Sequence, residues 1–591
     1  MNDLVNQYSE LITGIILLGM VFELIRSKTR PSIVFGLVVL LFLILGYITV
    51  DSIFKAITTK SVLIVFLVIG ISSVINNNFD IGTLLDRLLG RINSQIFFLA
   101  ALCLSVAFIS SVFNNTPVVI ILIPYVMKKA ESYEISPSKL LIPLSFSAIL
   151  GGMITLVGTS TNLVLNGLLE NSGLPLFKIY DFLIPGLLVT VSGVLYLALF
   201  SSKLLPSRSL TPNQKRRAAR NYFVEAKIGK GSSFSGKSLE ESGVKDYKGV
   251  SLIELVRGEK IFNVVASRNL ILEEDDRLIF SGSIKDVLLI NQGDNNLEFI
   301  SQERLAYDNK LEYVELSIPT NSNLDGKRIK DTDFRTRYGA TILAVHRNGE
   351  DLSGRIGQIV LRSGDLLIIV PHANLTESIR SDFYILSNIT KRKESPQNKK
   401  KLIFGVLALI ALFVFEKIDL FLFLTCSLGL MVVLKYATIN ELKNEFRVNL
   451  FVVLCASIIV GEVFISSGLA KEISTYLLLL VQPYGFTAII LGLMLFTIVL
   501  TSFITNVAAV SIAFPLAYSI SEVTGIQGEA LFLAVAFAAS AAFMTPIGYQ
   551  TNLVVMAPGD YRFKDFFKIG APLTVIYLAV IMSFIYIKYN I

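Results

Sequence analysis

The sequence predicts an α-helical polytopic membrane protein with inverted repeats and broken or re-entrant helices, interrupted by an α+β insert. Three observations support this fold class. Hydrophobic residues make up 53% of the 591 positions and charged residues 17%, whereas ordinary soluble domains carry about 25% charge. The charge is concentrated between residues 203 and 401, which predicts a polar insert between two apolar halves. Polar interruptions recur at matching places in those two halves.

The apolar segments form two sets, within residues 1–202 and 402–591, which we take as the two halves of the membrane domain. They lie near residues 10–26, 33–50, 61–76, 95–113, 139–157 and 182–202, and near 402–416, 418–435, 449–467, 485–504, 527–544 and 570–588. A straight spanning helix needs about 20 apolar residues, but several segments are shorter, and Gly, Pro and Asn interrupt them. We therefore expect broken or re-entrant helices.

Spacing indicates that the two halves are copies. The segment FISSVFNNTPVVIILIP (108–124) matches LTSFITNVAAVSIAFP (500–515), and an asparagine lies nine residues before the last proline in each. From Asn115 to Gly158 is 43 residues, and from Asn506 to Gly548 is 42. Repeats with polar interruptions at equivalent positions are typical of transporters, and the interruptions indicate the binding site.

The insert contains a second duplication. YFVEAKI (222–228) recurs as YVELSI (313–318), GVSLIELVR (249–257) as GATILAVHR (339–347), and LEEDDRLIF (272–280) as LRSGDLLII (361–369). Short Val/Ile/Leu strands bounded by Gly and Asp predict two small α+β modules. We expect a linker at 203–221, modules at 222–295 and 313–380, and a basic linker at 381–401.

Basic runs flank the insert, with KRRAAR at 215–220 and KRKESPQNKKK at 391–401. Cytoplasmic loops of membrane proteins carry excess Lys and Arg, so we expect residues 203–401 to lie in the cytoplasm. The net charge of +7 is then a signal of membrane topology, and we expect no nucleic-acid partner. The protein is expected in the plasma or inner membrane as a multi-pass chain.

Two polar clusters could carry chemistry. SSVFNNT (110–116) with GTSTN (158–162) forms one predicted half-site, and TSFITN (501–506) with GYQTN (548–552) forms its mate. Backbone polar groups at membrane depth must be satisfied, so a chain that breaks helices there should line a cavity. Helix N-termini attract anions, while carbonyl, hydroxyl and amide oxygens suit a hard cation such as sodium.

The sign of the ligand follows from the scarcity of acids near these clusters. Glu462 is the clearest carboxylate, and we expect Glu462 and Lys60 to form interhelical or interfacial pairs rather than to couple transport. An anion is therefore favoured over an organic cation. The inside-negative membrane potential repels a dianion by about 2.3 kcal/mol per charge per 100 mV, so uptake needs cotransported cations.

One motif is a decoy. GSSFSGKS (231–238) fits the phosphate-loop pattern, but its counterpart NSNLDGKR (321–328) keeps only the Gly-Lys turn. We do not expect ATP binding there. Because no combination of nucleophile, base and orienting residue can be assembled, we do not expect an enzyme.

Asn114-Asn115-Thr116, followed by Pro124 and GTSTN, resembles the motifs of the divalent anion/sodium symporter family, also called the sodium/sulfate permease family. The resemblance covers both membrane halves, and TPIGYQTNLVVMAPGDYRFKDF (545–566) is especially close. The insert looks like two TrkA-C domains, the C-terminal domains of potassium-conductance regulators.

Carried over by this resemblance, the first sodium site would comprise Ser110, Asn114, Asn115 and Gly158. The second would comprise Thr501, Thr505, Asn506 and Gly548. The substrate anion would contact Asn115, Thr116, Thr159, Asn506, Gly548 and Tyr549.

The chain departs from the family pattern at four places. Asn114 and Thr505 replace the serine of the family motif, and Val507 replaces its threonine in the second half. Loss of that hydroxyl argues against a mode in which two threonines grip carboxylates, and it favours a small tetrahedral oxyanion. Tyr549-Gln550 in place of Thr-Pro reshapes the wall of the site.

The resemblance implies a sodium-coupled symporter of a small inorganic divalent oxyanion, with sulfate favoured, working as a homodimer by an elevator-like motion. It also implies regulation through the TrkA-C-like modules, by analogy through a nucleotide-type ligand. A sodium/dicarboxylate symporter is the alternative within transport. A membrane-anchored ligand sensor and a gated channel are alternatives from other classes.

Overall fold

The computed structural model is mostly helical, with a β-sheet insert in the middle of the chain. The described residues are 8–26, 29–78, 85–87, 89–90, 92, 94–133, 135–207, 222–244, 250–258, 260–263, 270–282, 297–299, 314–319, 322, 324–347, 350–352, 356–371, 379, 382–386, 405–406, 417–446 and 448–590. The basic runs at 215–220 and 391–401 and most of the segment predicted near 402–416 lie outside these residues.

In the described residues of the first half, four helices of at least nine residues precede a set of five that is interrupted at two places. The first four are α1 (Ser9–Arg26), α2 (Pro31–Ile44), α3 (Val50–Thr58) and α4 (Lys60–Asn78). The interrupted set is α5 (Gln95–Ser110), α6 (Asn115–Ser132), α7 (Leu141–Gly152), α8 (Ser160–Asn171) and α9 (Ile179–Leu204). Asn114 and Thr159 cap α6 and α8, so both helices begin at breaks in the apolar chain.

The second half repeats this order. After the insert's helix α10 (Phe334–Tyr338), the bounded helices of the described residues begin with α11 (Leu420–Val433), α12 (Ile439–Glu445), α13 (Val448–Ser466) and α14 (Leu469–Val481). The interrupted set follows as α15 (Phe486–Phe503), α16 (Asn506–Thr524), α17 (Gly528–Ser540), α18 (Gln550–Met556) and α19 (Phe563–Tyr589). The helices α9 and α19 even start with the same capping box, since Lys178 and Arg562 each donate a backbone N–H to an aspartate three residues later, at 2.8 Å.

Each half packs one short helix against the other half. Helix α8 of the first half packs on α16 and α17 of the second, whereas α18 of the second half packs on α6 and α7 of the first. Each half therefore supplies one wall of a common centre. Buried aromatic side chains fill the contact around it, and Phe146 of α7 packs edge-on against Phe543, with ring centroids 5.2 Å apart.

Five of the described helices are long and apolar enough to cross a membrane, namely α9, α13, α15, α16 and α19, and the number rises to seven if two bent helix pairs count as single spans. Their outer faces carry exposed apolar side chains such as Leu195 (59% exposed) and Val575 (66%). Such faces suit hydrocarbon rather than water. A mostly helical protein with several apolar candidate spans is consistent with the polytopic membrane protein expected from the sequence, and the inversion of the repeats stays a prediction.

The insert contains two five-stranded sheets with one topology. The first sheet has the order β5-β1-β4-β2-β3 and the second the order β10-β6-β9-β7-β8. The first comprises β1 (Tyr222–Ile228), β2 (Val250–Arg257), β3 (Lys260–Asn263), β4 (Arg277–Gly282) and β5 (Leu297–Phe299). The second comprises β6 (Val314–Ser317), β7 (Ala340–Arg347), β8 (Glu350–Asp351), β9 (Leu366–Pro371) and β10 (Tyr384–Ile385). Both contain a register shift at the same place, after Leu252 in β2 and after Ile342 in β7.

The last strand of each sheet lies past the boundary expected from the sequence. β5 follows residue 295 and β10 follows residue 380. Strands of two or three residues are too short to show the alternation of apolar and polar side chains on which the expected boundaries depend. The segment expected as a basic linker thus begins with a strand of the second sheet.

The Gly-Lys turn of the decoy motif is a structural element of each module. Gly236 adopts φ +81° and donates its N–H to the carbonyl of Leu272 at 2.8 Å. Gly326 of the second module adopts φ +79° and donates to Leu361 at 2.8 Å. A glycine is needed because a side chain disfavours positive φ. The recurring turn agrees with a module-specific role rather than a phosphate loop.

A buried ion pair holds each module together. Arg347 binds the fully buried Asp365 through two hydrogen bonds of 2.7 Å, and Arg257 binds Asp276 in the same way at 2.7 and 2.6 Å. Burial raises the pKa of the Asp365 carboxyl, and the hydrogen bonds from Arg347 act in the opposite direction. The arginine therefore offsets the cost of a buried charge.

We predict that Arg347→Leu destabilises the second module by about 3–5 kcal/mol, because Asp365 is left buried without its partner. Hydrogen–deuterium exchange of residues 340–347 and 366–371 in the intact protein measures the loss. Arg362→Leu is the matched control, since that side chain is exposed. Equal exchange in the two variants would contradict the role assigned to the ion pair.

Candidate functional site

Two helix breaks in each half contain or adjoin the sequence-predicted site residues. The breaks are residues 111–114 and 153–159 in the first half and 504–505 and 541–549 in the second. The predicted residues lie in these breaks or in the adjoining helical turns. The hydrogen bonds that close the breaks recur in both halves.

A side-chain hydrogen bond spans the first break of each half. Ser110 Oγ donates to Asn115 Oδ1 at 3.0 Å, and Thr501 Oγ1 lies 3.0 Å from Asn506 Oδ1. Both hydroxyls are fully buried. The residue types differ, but a hydroxyl meets an amide oxygen at the same register in both halves, so the repeat extends to atomic contacts.

A threonine that sequence reasoning missed links the two breaks of each half. Thr155 Oγ1 donates to the carbonyl of Ser111 and accepts the N–H of Gly158 at 3.1 Å. The corresponding bonds of the second half join Thr545 to the carbonyl of Ser502 (2.7 Å) and to the N–H of Gly548 (3.1 Å). Thr155 and Thr545 each lie three residues before the site glycine, so the repeat register was a signal that could have identified them.

An asparagine clamps the longer break from its far side. Asn162 Nδ2 donates to the carbonyl of Thr155 at 3.2 Å, and Asn552 Nδ2 donates to that of Thr545 at 3.1 Å. Both side chains are fully buried. The last residue of GTSTN and of GYQTN therefore holds the backbone of its own loop.

Glycine allows the breaks to pack backbone against backbone. A Cβ on Gly158 would lie 2.5 Å from the carbonyl oxygen of Gly152, and one on Gly548 would lie 2.6 Å from that of Thr501. The long helices also approach through glycine, since a Cβ on Gly186 in α9 or on Gly570 in α19 would overlap a backbone carbonyl of the adjacent break. Helices α9 and α19 are thus fitted to the breaks beside them.

Three predicted site residues are helix caps. Asn114 Oδ1 accepts the N–H of Thr116 at 3.3 Å, Thr159 Oγ1 accepts that of Thr161 at 3.4 Å, and Thr505 Oγ1 accepts that of Ala508 at 3.4 Å. Each cap orients the first turn of α6, α8 or α16. A capping oxygen retains acceptor capacity, so this structural role is compatible with a bound cation.

The breaks of opposite halves are in direct contact. Asn115 Nδ2 donates to the Tyr549 hydroxyl at 2.6 Å, and Thr116 Oγ1 donates to Gln550 Oε1 at 3.3 Å. The Thr159 side chain also interacts with the Tyr549 hydroxyl. The structure therefore brings Asn115 and Thr159 of the first half to Tyr549, and Thr116 to the neighbouring Gln550. Gly158 precedes Thr159 directly in the chain.

The two half-sites differ in exposure. Asn115 is 1% exposed and Thr116 and Thr159 are each 6% exposed, whereas Thr505 is exposed and Asn506 half-buried. The side chains that line both half-sites are hydroxyls, amides and a phenol, without a formal charge. Neutral oxygens suit a weakly held monovalent cation, and the N–H groups at the starts of α6, α8 and α16 favour an anion.

The hydrogen bond of Ser145 has no counterpart among the described residues of the second half. Ser145 Oγ of α7 donates to Asn552 Oδ1 at 2.7 Å. At the register that corresponds to Ser145, α17 carries Val535, which cannot donate. The oxygen Asn162 Oδ1 is fully buried and has no hydrogen-bond partner among the described residues.

The two charged residues considered for coupling make contacts between helices. Glu462 of α13 accepts a hydrogen bond from Asn171 Nδ2 at 3.0 Å, and Lys60 of α4 lies 3.8 Å from Asp419 at the start of α11. Both Lys60 and Asp419 are largely exposed. The expectation of interhelical or interfacial pairs is confirmed for both residues.

Comparison with known proteins identifies similar sequences. The profile of the citrate transporter family, CitMHS, matches residues 18–412 and 410–590. A protein of Chlamydomonas reinhardtii described as a sulfur deprivation response regulator is 29% identical over 90% of this chain and 94% of its own length. An uncharacterised transporter of Synechocystis is 32% identical over 79% of this chain and 78% of its own length.

A more distant relative has a named substrate. Sodium/sulfate cotransporter 1 of Chlamydomonas reinhardtii is 25% identical over 64% of this chain, and the match covers 44% of that protein. The family description and the names of these two transporters denote transport rather than catalysis.

We predict that Gly158→Ala and Gly548→Ala each destabilise the protein by about 1–3 kcal/mol, because the added methyl group would overlap a backbone carbonyl that is fixed by its neighbours. The thermal unfolding midpoint of detergent-solubilised protein measures the effect. Gly19→Ala is the control, since a Cβ there meets nothing within 4 Å. Wild-type stability in Gly548→Ala would contradict the tight approach.

We predict that Ser145→Ala costs about 1–3 kcal/mol, because Asn552 Oδ1 loses its donor and stays buried. Ser540→Ala should cost far less, since the Ser540 hydroxyl is buried with no partner among the described residues. Equilibrium unfolding of the two variants compares them directly. Equal losses would show that the Ser145 bond contributes nothing specific.

Proposed function

Because this chain belongs to the CitMHS citrate transporter family, we propose that it is a sodium-coupled secondary active transporter that imports a divalent oxyanion, with sulfate favoured. The observation that carries the proposal is the meeting of two matching pairs of helix breaks, in which Asn115 of one half donates to Tyr549 of the other at 2.6 Å. Broken helices at the interface of two repeats are the usual place for a transporter's substrate. The relative named as a sodium/sulfate cotransporter supports both the cation and the anion.

The anion would lie against Asn115, Thr116 and Thr159 on one side and Asn506, Gly548 and Tyr549 on the other. Its recognition would come from hydroxyl and amide donors together with the free N–H groups at the starts of α6, α8 and α16. The dipoles of these helices add a favourable potential for a negative charge. Because the donors carry no formal charge, they can also release the anion, as transport requires.

Sodium ions would bind beside the anion. The proposed first site uses Ser110, Asn114, Asn115 and Gly158, and the second uses Thr501, Thr505, Asn506 and Gly548. The donor atoms are hydroxyl, amide and carbonyl oxygens, which hard cations prefer. Positive charge carried with the anion removes the cost of about 2.3 kcal/mol per charge per 100 mV that a bare dianion would meet.

The transport cycle that we propose is elevator-like alternating access between inverted repeats, within a homodimer in the plasma or inner membrane. The repeated hydrogen bonds of the breaks support a pair of structurally related halves, and inversion would let each half open to one side. The two modules of the insert would lie in the cytoplasm as TrkA-C-like domains that take a regulatory ligand of the nucleotide type. Their common strand order supports a duplicated ligand-binding unit.

A carboxylate substrate is the second candidate, because the family description names citrate. Val507 occupies the second-half position where the resemblance expects a threonine, so a grip by two threonine hydroxyls is absent from the proposed site. A sulfate ion needs fewer separate contacts than a dicarboxylate. Competition by succinate and by citrate distinguishes these substrates.

A sensor is the candidate from another class, because one relative is described as a sulfur deprivation response regulator. A sensor would bind the anion without accumulating it. A gated channel would carry the anion down its gradient without a sodium requirement. Flux measurements therefore separate all three.

We predict sodium-dependent accumulation of radiolabelled sulfate in proteoliposomes that contain the purified protein. An inward sodium gradient should drive uptake, and a potassium gradient of equal size should not. Excess unlabelled sulfate should compete, whereas succinate and citrate should compete weakly. Sulfate binding without accumulation would indicate the sensor, and strong competition by succinate would indicate the dicarboxylate symporter.

We predict that Asn115→Ala and Asn506→Ala each reduce sodium-dependent uptake by at least about 100-fold, because each removes an amide oxygen proposed to serve both a cation and the anion. Asn590→Ala is the matched control, since Asn590 caps the far end of α19 and is exposed. Size-exclusion profiles establish that the variants fold. Wild-type uptake in Asn115→Ala would reject the assigned site.

A further inference from the structure

Gln550 lies outside the predicted set of site residues, yet one of its atoms joins three parts of the protein. Gln550 Oε1 accepts a hydrogen bond from Thr116 Oγ1 of the first half at 3.3 Å. The same oxygen accepts one from the hydroxyl of Tyr384 in β10, at 3.4 Å. An amide oxygen has two lone pairs, so both bonds can form together. A residue of the insert is therefore one side chain away from the proposed anion site.

The contact continues along α18 as an apolar surface of the second module, which we call the docking surface and define as Gly364, Leu366, Tyr384 and Leu386. A Cβ on Gly364 would lie 3.6 Å from Leu553 Cδ2, one turn beyond Gln550. Leu366 and Leu386 are 0% and 5% exposed, and both belong to the same apolar cluster as the core of the membrane helices. The second module thus packs directly on the short helix that begins at the site.

The first module carries charged residues at three of the four corresponding positions. By the register of the two sheets, Asp275 corresponds to Gly364, Arg277 to Leu366 and Glu298 to Tyr384. Asp275 is exposed and pairs with Lys227 at 2.5 Å. The two modules share one topology but differ at these three positions of the docking surface, where the first module has charged side chains.

One face of β9 connects the docking surface to the first module. Leu366 packs in the membrane core, and Ile368, two residues later on the same face, packs in the core of the first module. Leu367 and Ile369 point the other way, into the core of the second module. Because side chains alternate along a strand, a shift of β9 moves both contacts together.

We propose that Gln550 is a positioning residue through which the docked second module restrains Thr116, so that docking and anion binding oppose each other. This inference rests on the proposed function, in which the Thr116 hydroxyl binds the anion. That hydroxyl has one proton, and while it donates to Gln550 it cannot donate to the anion. Tyr384 stabilises the restraining position of Gln550. By linkage, anion binding must weaken docking by the same factor that docking weakens anion binding.

The first test is the KM for sulfate in proteoliposomes of the full-length protein. Tyr384→Phe removes one hydroxyl and should lower KM about three- to tenfold, the size that one hydrogen bond supports. Tyr338→Phe is the matched control, because it removes a hydroxyl that donates to Asp382 at 2.6 Å within the same module. Gln550→Met should lower KM similarly, and the double variant should show no further fall. Unchanged KM in Tyr384→Phe, an equal change in Tyr338→Phe, or additive effects would each overturn the inference.

The second test measures docking without any transport. Hydrogen–deuterium exchange in the intact protein should be faster at residues 366–371 and 382–386 in Gln550→Met than in wild type, with residues 222–228 as the internal reference. Sodium sulfate should produce the same increase in wild type, and sodium chloride should not. If wild-type vesicles accumulate no sulfate, the transport proposal fails, whereas the Gln550→Met comparison still decides the docking. Identical exchange in Gln550→Met and wild type would overturn the inference by itself.

Discussion

The structure depends on satisfying the backbone where helices stop inside an apolar core. An open amide or carbonyl at membrane depth costs several kcal/mol, so the chain must supply partners at each break. Thr155 and Asn162 supply them in the first half, and Thr545 and Asn552 do so in the second. Because glycines at the breaks have no side chain, the backbones pack closely, and the carbonyls and helix N-termini lie within one small region. These bonds stabilise a non-helical backbone at the place where we propose the transport site.

Repetition made much of this arrangement predictable from the sequence. The register that relates Asn115 and Gly158 to Asn506 and Gly548 located the breaks, and apolar length located α5, α7, α15 and α17. Helices α6, α8 and α16, which begin at the breaks, lie outside the expected apolar segments. The contact between Asn115 and Tyr549 could not be predicted in this way, because spacing within each half carries no information on how the halves are docked. Helix α18 also escaped prediction, since seven residues after a polar break show too little periodicity to be recognised.

The insert, too, was predictable in its repeated strands but not in its contacts. Alternating Val, Ile and Leu predicted the strands, and the second duplication predicted two modules of one kind. The short strand β10 was expected as linker, although it places Tyr384 against Gln550. A tyrosine at a strand edge has no pattern that distinguishes a docking contact from an ordinary surface position. The difference between the two modules becomes visible only when their sheets are aligned, because Glu298 of the first module then occupies the position of Tyr384.

The unequal lengths of the two short helices give the halves different rigidity. Helix α8 has 12 residues and a side-chain cap, whereas α18 has 7 residues and no side-chain cap bond. An isolated helix of that length does not persist in water, so α18 owes its order to its neighbours rather than to its own hydrogen bonds. Local melting should therefore begin on this wall, at a free energy far below that of global unfolding. Substitutions far from the breaks that stabilise or destabilise α18 would then change how the rate of the proposed transport depends on temperature.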